Sequence, residues 1–225
     1  MGQPVQRTRV TFGIEGSLIY ASVLDLGRLW ERLLRRAGAP LAYTQGYSPH
    51  PRFQFASPLP VGYSSECEVM DIWLDRRVDL MGLARGMRSQ SPIGLTIREV
   101  AEVPLSGPYP QSTLRAAEYR VHVESPMAAP EIGAAVEGLL ARTSIERRRV
   151  RKRGQLQSYD LRPLIRNVRY EGVEDNAHRL WMDVQCGPQG SGRPEEIVGA
   201  MQVDASHVTI HRVRLVWGEQ EEIHA

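Results

Sequence analysis

The sequence predicts an α+β fold of two tandem ferredoxin-like units, each ordered β-α-β-β-α-β with an antiparallel sheet. Three observations carry this. Apolar residues alternate between period two and helical spacing in the same order twice along the chain. A proline-rich stretch, Pro104 to Pro110, separates the two runs. The length, 225 residues, suits two units of roughly 100 residues each. The expected divisions are a first unit over 1–103, a linker over 104–117, a second unit over 118–217, and an acidic tail over 218–225.

The first unit opens with Arg7 to Ile14, where Val10, Phe12 and Ile14 fall on one face and Arg9 and Thr11 on the other, a strand with one buried face. Ser22 to Ala37 is a helix. Leu26, Leu29, Trp30, Leu33 and Ala37 form its apolar stripe, Ser22 caps its start, and Asp25 suits the dipole there. Gly38 and Pro40 end it. A loop of Tyr, Gly and Pro runs from Leu41 to Pro51. Strands follow at Arg52 to Ala56 and Glu68 to Leu74, then a helix at Asp79 to Ser89 and a strand at Gly94 to Val100.

The second unit repeats the order. Tyr119 to Glu124 reads as a strand, and Pro130 to Arg142 as a helix with Ile132, Val136, Leu139 and Leu140 inward. Ile145 to Arg151 reads as a strand or strand-like arm. The stretch Tyr159 to Tyr170 reads as an inserted turn or short helix. Arg179 to Cys186 is a strand, Pro194 to Met201 a short helix with proline in its first turn, and Val208 to Trp217 the last strand.

Composition excludes several kinds of chemistry. The two cysteines, Cys67 and Cys186, are too few for an iron–sulfur cluster or a zinc site built on cysteine pairs. They fit a reducing cytoplasm better than a disulfide framework. His207 and His211 share a strand face without a third ligand, so no metal is expected, and no motif calls for a cofactor. No apolar run is long enough to cross a membrane, and the N-terminus lacks a secretory layout. The expected location is therefore the cytoplasm.

Net charge is only +2, yet cations cluster. Arg28, Arg32 and Arg35, with Arg36 beside them, line the polar face of the first helix, where Asp25 and Glu31 are within pairing reach. Arg9 and Arg52 add to the local positive field. Arg147, Arg148, Arg149, Arg151, Lys152 and Arg153 place six cations in seven consecutive positions. On a strand Arg147, Arg149 and Arg151 share a face. Such density suits polyanion contacts, since each neutralised phosphate releases counterions.

The loop Tyr43 to Arg52 is the other candidate. Gly46 permits a tight turn, and Pro49 and Pro51 hold His50 in an extended path. Tyr43, Gln45, Tyr47 and His50 suit stacking and hydrogen bonding to a base, or contact with a protein partner. His50 is also a candidate acid or base. The run Gly187 to Pro194 precedes a helix but is neither a P-loop nor a dinucleotide fingerprint. It reads as a turn.

Residues Ser22 to Leu26, Arg28, Trp30 to Arg32 and Arg35 to Gly38 resemble the start of the radical SAM-linked domain of unknown function. The likeness continues through Leu41 to Tyr43, Gln45 to Tyr47, Pro49 to Pro51, Phe55-Ala56 and Leu59 to Gly62. Asp160 to Pro163 and Gly190 to Pro194 are similar to its later motifs. The resemblance implies a protein fused to, or encoded beside, a radical SAM enzyme, and an accessory role in RNA modification or translation. Val23 stands where the family usually has His, and Tyr47 where it usually has Phe; the first change favours binding over catalysis.

The function expected is thus an accessory RNA-binding protein without a catalytic residue of its own, with tRNA or rRNA and a radical SAM protein as partners and no membrane. Two alternatives stand beside it. One is a metal-independent endoribonuclease that uses His50, like the enzymes that process CRISPR repeats; in those, however, the glycine-rich motif lies just before the last strand. The other is a protein-only scaffold for a radical SAM partner.

Overall fold

The computed structural model describes residues 3–150 and 156–218. The fold is mixed α+β, with ten strands, mostly antiparallel, and five α-helices among the described residues. The chain divides into two compact units, Met1–Leu114 and Arg115–Ala225.

In the first unit β1 (Gln6–Ile14) is followed by α1 (Val23–Arg36), β2 (Phe53–Phe55), β3 (Ser64–Leu74), α2 (Leu80–Gln90), β4 (Leu95–Val103) and a single turn of helix, α3 (Pro110–Thr113). β1 lies between β4 and β3, antiparallel to both, and β2 pairs with the far edge of β3, giving the order β4-β1-β3-β2. Alternation along β1 sends Val10, Phe12 and Ile14 into the core, each at most 2% exposed. Phe12 meets Trp30 of α1 edge-on with ring centroids 4.8 Å apart. Trp30, Leu33 and Leu34 are wholly buried; they lie three and four residues apart, so one helix face supplies them all.

Local chemistry sets the ends of α1. The Ser22 hydroxyl accepts from the Asp25 amide at 3.2 Å. At the other end Gly38 adopts φ +74°, and the Ala39 amide returns to the Leu34 carbonyl at 3.0 Å, closing carbonyls that the helix leaves open. Gly94, before β4, has φ +89°, and a Cβ there would run into the Glu15 carbonyl. That close approach is what lets the Glu15 amide donate to the Gly94 carbonyl at 2.9 Å.

In the second unit β5 (Leu114–Glu124) is followed by α4 (Ala129–Ala141), a hairpin of β6 (Glu146–Val150) and β7 (Leu156–Asp160), then β8 (Ile165–Glu174), β9 (Ala177–Gln185), α5 (Pro194–Met201) and β10 (His207–Trp217). The sheet order is β10-β5-β9-β8. β9 is antiparallel to both β5 and β8. The core holds Val121, Ile132, Leu139, Leu180, Met182 and Ile197, none of them exposed.

The boundary between the units falls within 104–117, where α3 occupies Pro110–Thr113 and β5 starts at Leu114. The prolines end a strand and start a helical turn, and buried Arg7 binds the carbonyls of Pro104, Gly107 and Pro108. One expectation needs correction, on residues 159–170. They are not a turn or short helix. β7 ends at Asp160, a short 3-10 turn spans Arg162–Leu164, and β8 begins at Ile165. Irregular pairing between Ile165 and Asn167 and between Tyr170 and Gly172 breaks the period of two, so alternation along β8 is hard to see. The loop from Leu41 also carries backbone pairing, with bridges Leu41 to Leu74 and Tyr43 to Pro51. Arg151, Lys152, Arg153 and all but the first residue of the acidic tail lie outside the described residues.

Candidate functional site

The loop after α1 is stitched to the end of β3 by its backbone. The Ala42 amide donates to the Trp73 carbonyl at 2.8 Å, Trp73 to Arg52 at 3.0 Å, and Arg52 to Ala42 at 2.7 Å. Within the loop Thr44 donates to the His50 carbonyl at 2.9 Å, and the His50 amide donates to Thr44 Oγ1 at 3.0 Å. Gly46, at φ +135°, turns the tip. The result is a braced loop whose side chains face solvent from fixed positions.

Beside it lies a groove of about 610 Å³ lined by Gln3, Pro4, Tyr43, Thr44, Gln45, Arg52 and Leu105. Three predicted residues, Tyr43, Gln45 and Arg52, therefore share one wall. The other two loop candidates, Tyr47 and His50, are exposed outside this lining. No acidic side chain lines the groove. The Arg52 guanidinium lies over the Trp73 ring, 4.6 Å from its centroid, and donates to the Tyr109 hydroxyl at 3.3 Å. Stacking fixes this cation while leaving its charge unmatched by any carboxylate among the described residues. A polarised ring, an amide and a held cation around one cavity can take a planar, hydrogen-bonding anion.

Beneath the groove wall the sequence hid a buried ion cluster. Arg7 and Asp71 are 2% and 0% exposed and bond at 2.5 Å. Arg9 binds the other oxygen of Asp71 at 2.8 Å. Arg9 is therefore tied to its cross-strand partner, which it shares with Arg7, and is not a free part of a positive field. Arg7 also packs on Trp73 and Tyr109, 5.1 and 5.9 Å from the ring centroids, so it holds the rings against which Arg52 is set.

The arginines of α1 are exposed but unequal. Arg28 pairs with Asp25 at 3.4 Å and Arg35 with Glu31 at 2.6 Å. Arg32 bonds only the Arg28 carbonyl, at 3.3 Å, and Arg36 has no ion pair among the described residues. Exposed pairs of this kind are worth about 0–1 kcal/mol, so a phosphate competes for them readily.

In the second unit Arg147 and Arg149 do share a face, and that face is turned onto α5. Arg147 donates to the Glu196 carbonyl at 3.2 Å, Arg149 to the Glu196 carboxylate at 3.2 Å, and the Tyr159 hydroxyl to the same carboxylate at 2.5 Å. Burial and this carboxylate raise the Tyr159 pKa. Arg148, between them, is exposed and unpaired among the described residues. Glu195 and Glu196 occupy the first turn of α5, so the N-terminus after the glycine-rich run already carries its own anions. In that run a Cβ on Gly192 would lie 2.7 Å from Val184 Cγ1; the glycine serves close packing.

The motif Asp160 to Pro163 is a clasp. Asp160 Oδ1 accepts from the amides of Ile145 at 2.7 Å and Arg162 at 2.9 Å, and these hydrogen bonds lower its pKa. Arg162 donates to the carbonyls of Leu140 and Arg142 at the end of α4, at 3.1 and 2.9 Å. Among the described residues no cluster of three or more His, Cys, Asp or Glu could hold a metal ion, and no helix is long and apolar enough to cross a membrane.

A family model described as uncharacterised proteins conserved in bacteria, DUF2344, matches residues 7–194. The chain belongs to this family. The matched range spans the groove residues Tyr43, Thr44, Gln45, Arg52 and Leu105, the basic helix, the Asp160 clasp and the glycine run. The family's description names neither a reaction nor a partner. No curated protein matches the chain. Among solved structures it is similar to a Cbf5-Nop10-Gar1 complex, with 12% identity over 92% of this chain and 48% of that one and a TM-score of 0.49. An archaeal box H/ACA sRNP Nop10-Cbf5 complex gives 12% identity, 96% and 49% coverage and a TM-score of 0.46. DyPB from Rhodococcus jostii RHA1 gives 10% identity, 89% and 84% coverage and 0.24. The chain spans about half the length of the chains it matches in the first two. At these identities and TM-scores none of the likenesses bears on function.

Proposed function

We propose that this chain is an accessory RNA-binding protein that acts with a radical SAM enzyme in RNA modification or translation. One observation carries the RNA half of this reading: Tyr43, Gln45 and Arg52 line a single groove with no acidic residue in its wall. A ring for stacking, an amide for a base edge and a fixed cation for phosphate are the three contacts that an unpaired nucleotide offers. The volume, about 610 Å³, suits a small molecule or one nucleotide and is too small for a duplex. Arg32, Arg36 and Arg148 supply further phosphate contacts without first surrendering a carboxylate. Arg147 and Arg149 must give up Glu196 to do the same. The partner class rests on the likeness of the Ser22 to Gly62 motifs to the radical SAM-linked family. The strand orders β4-β1-β3-β2 and β10-β5-β9-β8 support reading both units as ferredoxin-like repeats.

Binding is favoured over RNA cleavage by the position of His50. Its ring is exposed, and no side chain orients it among the described residues, whereas a general base works best when held. Crosslinking the tagged protein in cells, then sequencing the bound RNA and identifying bound proteins, tests the proposal. Recovery of discrete tRNA or rRNA segments, lost in a Tyr43→Ala/Arg52→Ala variant, is expected together with a radical SAM protein. Recovery of protein without RNA would overturn the RNA assignment.

A further inference from the structure

The sheet of the second unit carries a second feature that could bind nucleic acid. Period two along β5, β8 and β9 sorts their residues onto two faces. Tyr119, Val121, Leu180 and Met182 take the core face and are at most 3% exposed. The alternate positions carry Glu118, Arg120, His122, Arg169, Arg179 and Asp183, with Trp181 as the aromatic residue among them and small or aliphatic residues (Leu114, Ala116, Ala177) near the strand ends. Register sets Trp181 directly opposite Arg120 on β5 and opposite Arg169 on β8. Arg120 and Arg169 are exposed and Trp181 is half-buried. The Arg169 guanidinium lies 5.7 Å from the Trp181 ring centroid.

Charge pairing separates these two arginines from their neighbours. Four acidic side chains of these strands, Glu118, Glu171, Glu174 and Asp183, each have a cation. Glu118 pairs with Arg214, and Asp183 with Arg166 at 3.4 Å. Glu171 and Glu174 both pair with Arg179, at 3.0 and 3.2 Å, and His122 lies 3.7 Å from Glu174. Arg120 and Arg169 have no acidic partner among the described residues. A large aromatic ring flanked by two uncompensated cations is complementary to a base flanked by its phosphates.

We infer that Trp181, with Arg120 and Arg169, forms a stacking platform for an unpaired base of single-stranded RNA. This rests on the RNA-binding reading above but on none of its residues. A single strand is specified because bases inside a duplex present no ring face to a side chain. Stacking on Trp181 supplies affinity largely independent of sequence, and the arginines contact the phosphates on either side.

The test is fluorescence anisotropy of a short labelled oligouridylate, with a duplex RNA of the same length as control. Trp181→Leu should weaken oligouridylate binding at least about fivefold, while Trp181→Phe keeps most of it and duplex binding changes little. The double variant Arg120→Gln/Arg169→Gln leaves the ring in place and should also weaken binding. Should Trp181→Leu fail to fold, the double variant decides, and unchanged affinity there overturns the platform. A folded Trp181→Leu protein that binds like wild type overturns it too, and leaves a purely structural cross-strand contact. If Tyr43→Ala/Arg52→Ala weakens binding while the Trp181 and Arg120/Arg169 variants do not, the platform alone fails. If the wild-type protein binds no oligouridylate, both readings fail.

Discussion

Arg7 shows how much one buried charge can organise. It neutralises Asp71, binds three carbonyls between Pro104 and Pro108, and packs against Trp73 and Tyr109. A lone guanidinium in this setting would be expensive to desolvate; with all of these partners it is matched. Removing one member leaves Asp71, itself 0% exposed, with only Arg9. Arg7→Met should therefore destabilise the protein by about 1–3 kcal/mol in urea unfolding, since Asp71 keeps Arg9 while the hydrogen bonds of Arg7 are lost. It should also blunt ligand binding in the groove, because Trp73 and Tyr109 lose the group that sets them. Arg7→Met/Asp71→Leu should recover part of the stability, since no buried carboxylate is then left without Arg7, although Arg9, 19% exposed, loses its bond to Asp71. None of this was legible in sequence. Arg7 looked like one more polar residue at a strand start, and its partner lies 64 positions away.

At the scale of elements the sequence was more informative where the signal was local. Helix α1 could be read from its apolar stripe, its Ser22 cap and its Gly38 stop, because caps and periodicity act over a few residues. The β6–β7 hairpin was legible only as an arginine-rich arm. Which of its arginines face solvent depends on Glu196, an acid on a helix 47 residues after Arg149. β8 was missed because its bulges hide alternation. The hairpin's base yields a pH prediction. Asp160 has a folded-state pKa below its ordinary value of 3.8. Its ionised form therefore adds stability above that value, and this is lost as pH falls through the folded pKa. Asp160→Ala should lower the thermal midpoint near neutral pH, and the gap from wild type should narrow as pH falls below about 3.8. A gap constant across that range would show that the carboxylate's charge is not what holds Ile145 and Arg162. Hydrogen exchange at the Ile145 amide should quicken in the same variant.

At the scale of the whole molecule the net charge of +2 is too small to steer a polyanion from afar. Affinity must come from local cations, and salt should act mainly through them. If Arg32, Arg36 and Arg148 each neutralise one phosphate of bound single-stranded RNA, each should add about −0.7 to the slope of log affinity against log salt. Replacing any one by Gln should make that slope shallower by about 0.7. A slope unchanged by all three replacements would remove them from the interface.

The sequence alone determined the α+β class, the capped basic helix and the proline-rich loop after it. Each of these is written in neighbouring residues, through periodicity, caps and backbone restriction. Tertiary structure decided which charges are spent and which are free. Arg9 and Arg149 are tied to Asp71 and Glu196, while Arg36 and Arg148 have no ion pair among the described residues. It also gathered Tyr43, Gln45 and Arg52 onto one groove and set Trp181 between two arginines. Strand register and the packing of distant elements set those pairings, and neither is encoded in any short stretch of chain.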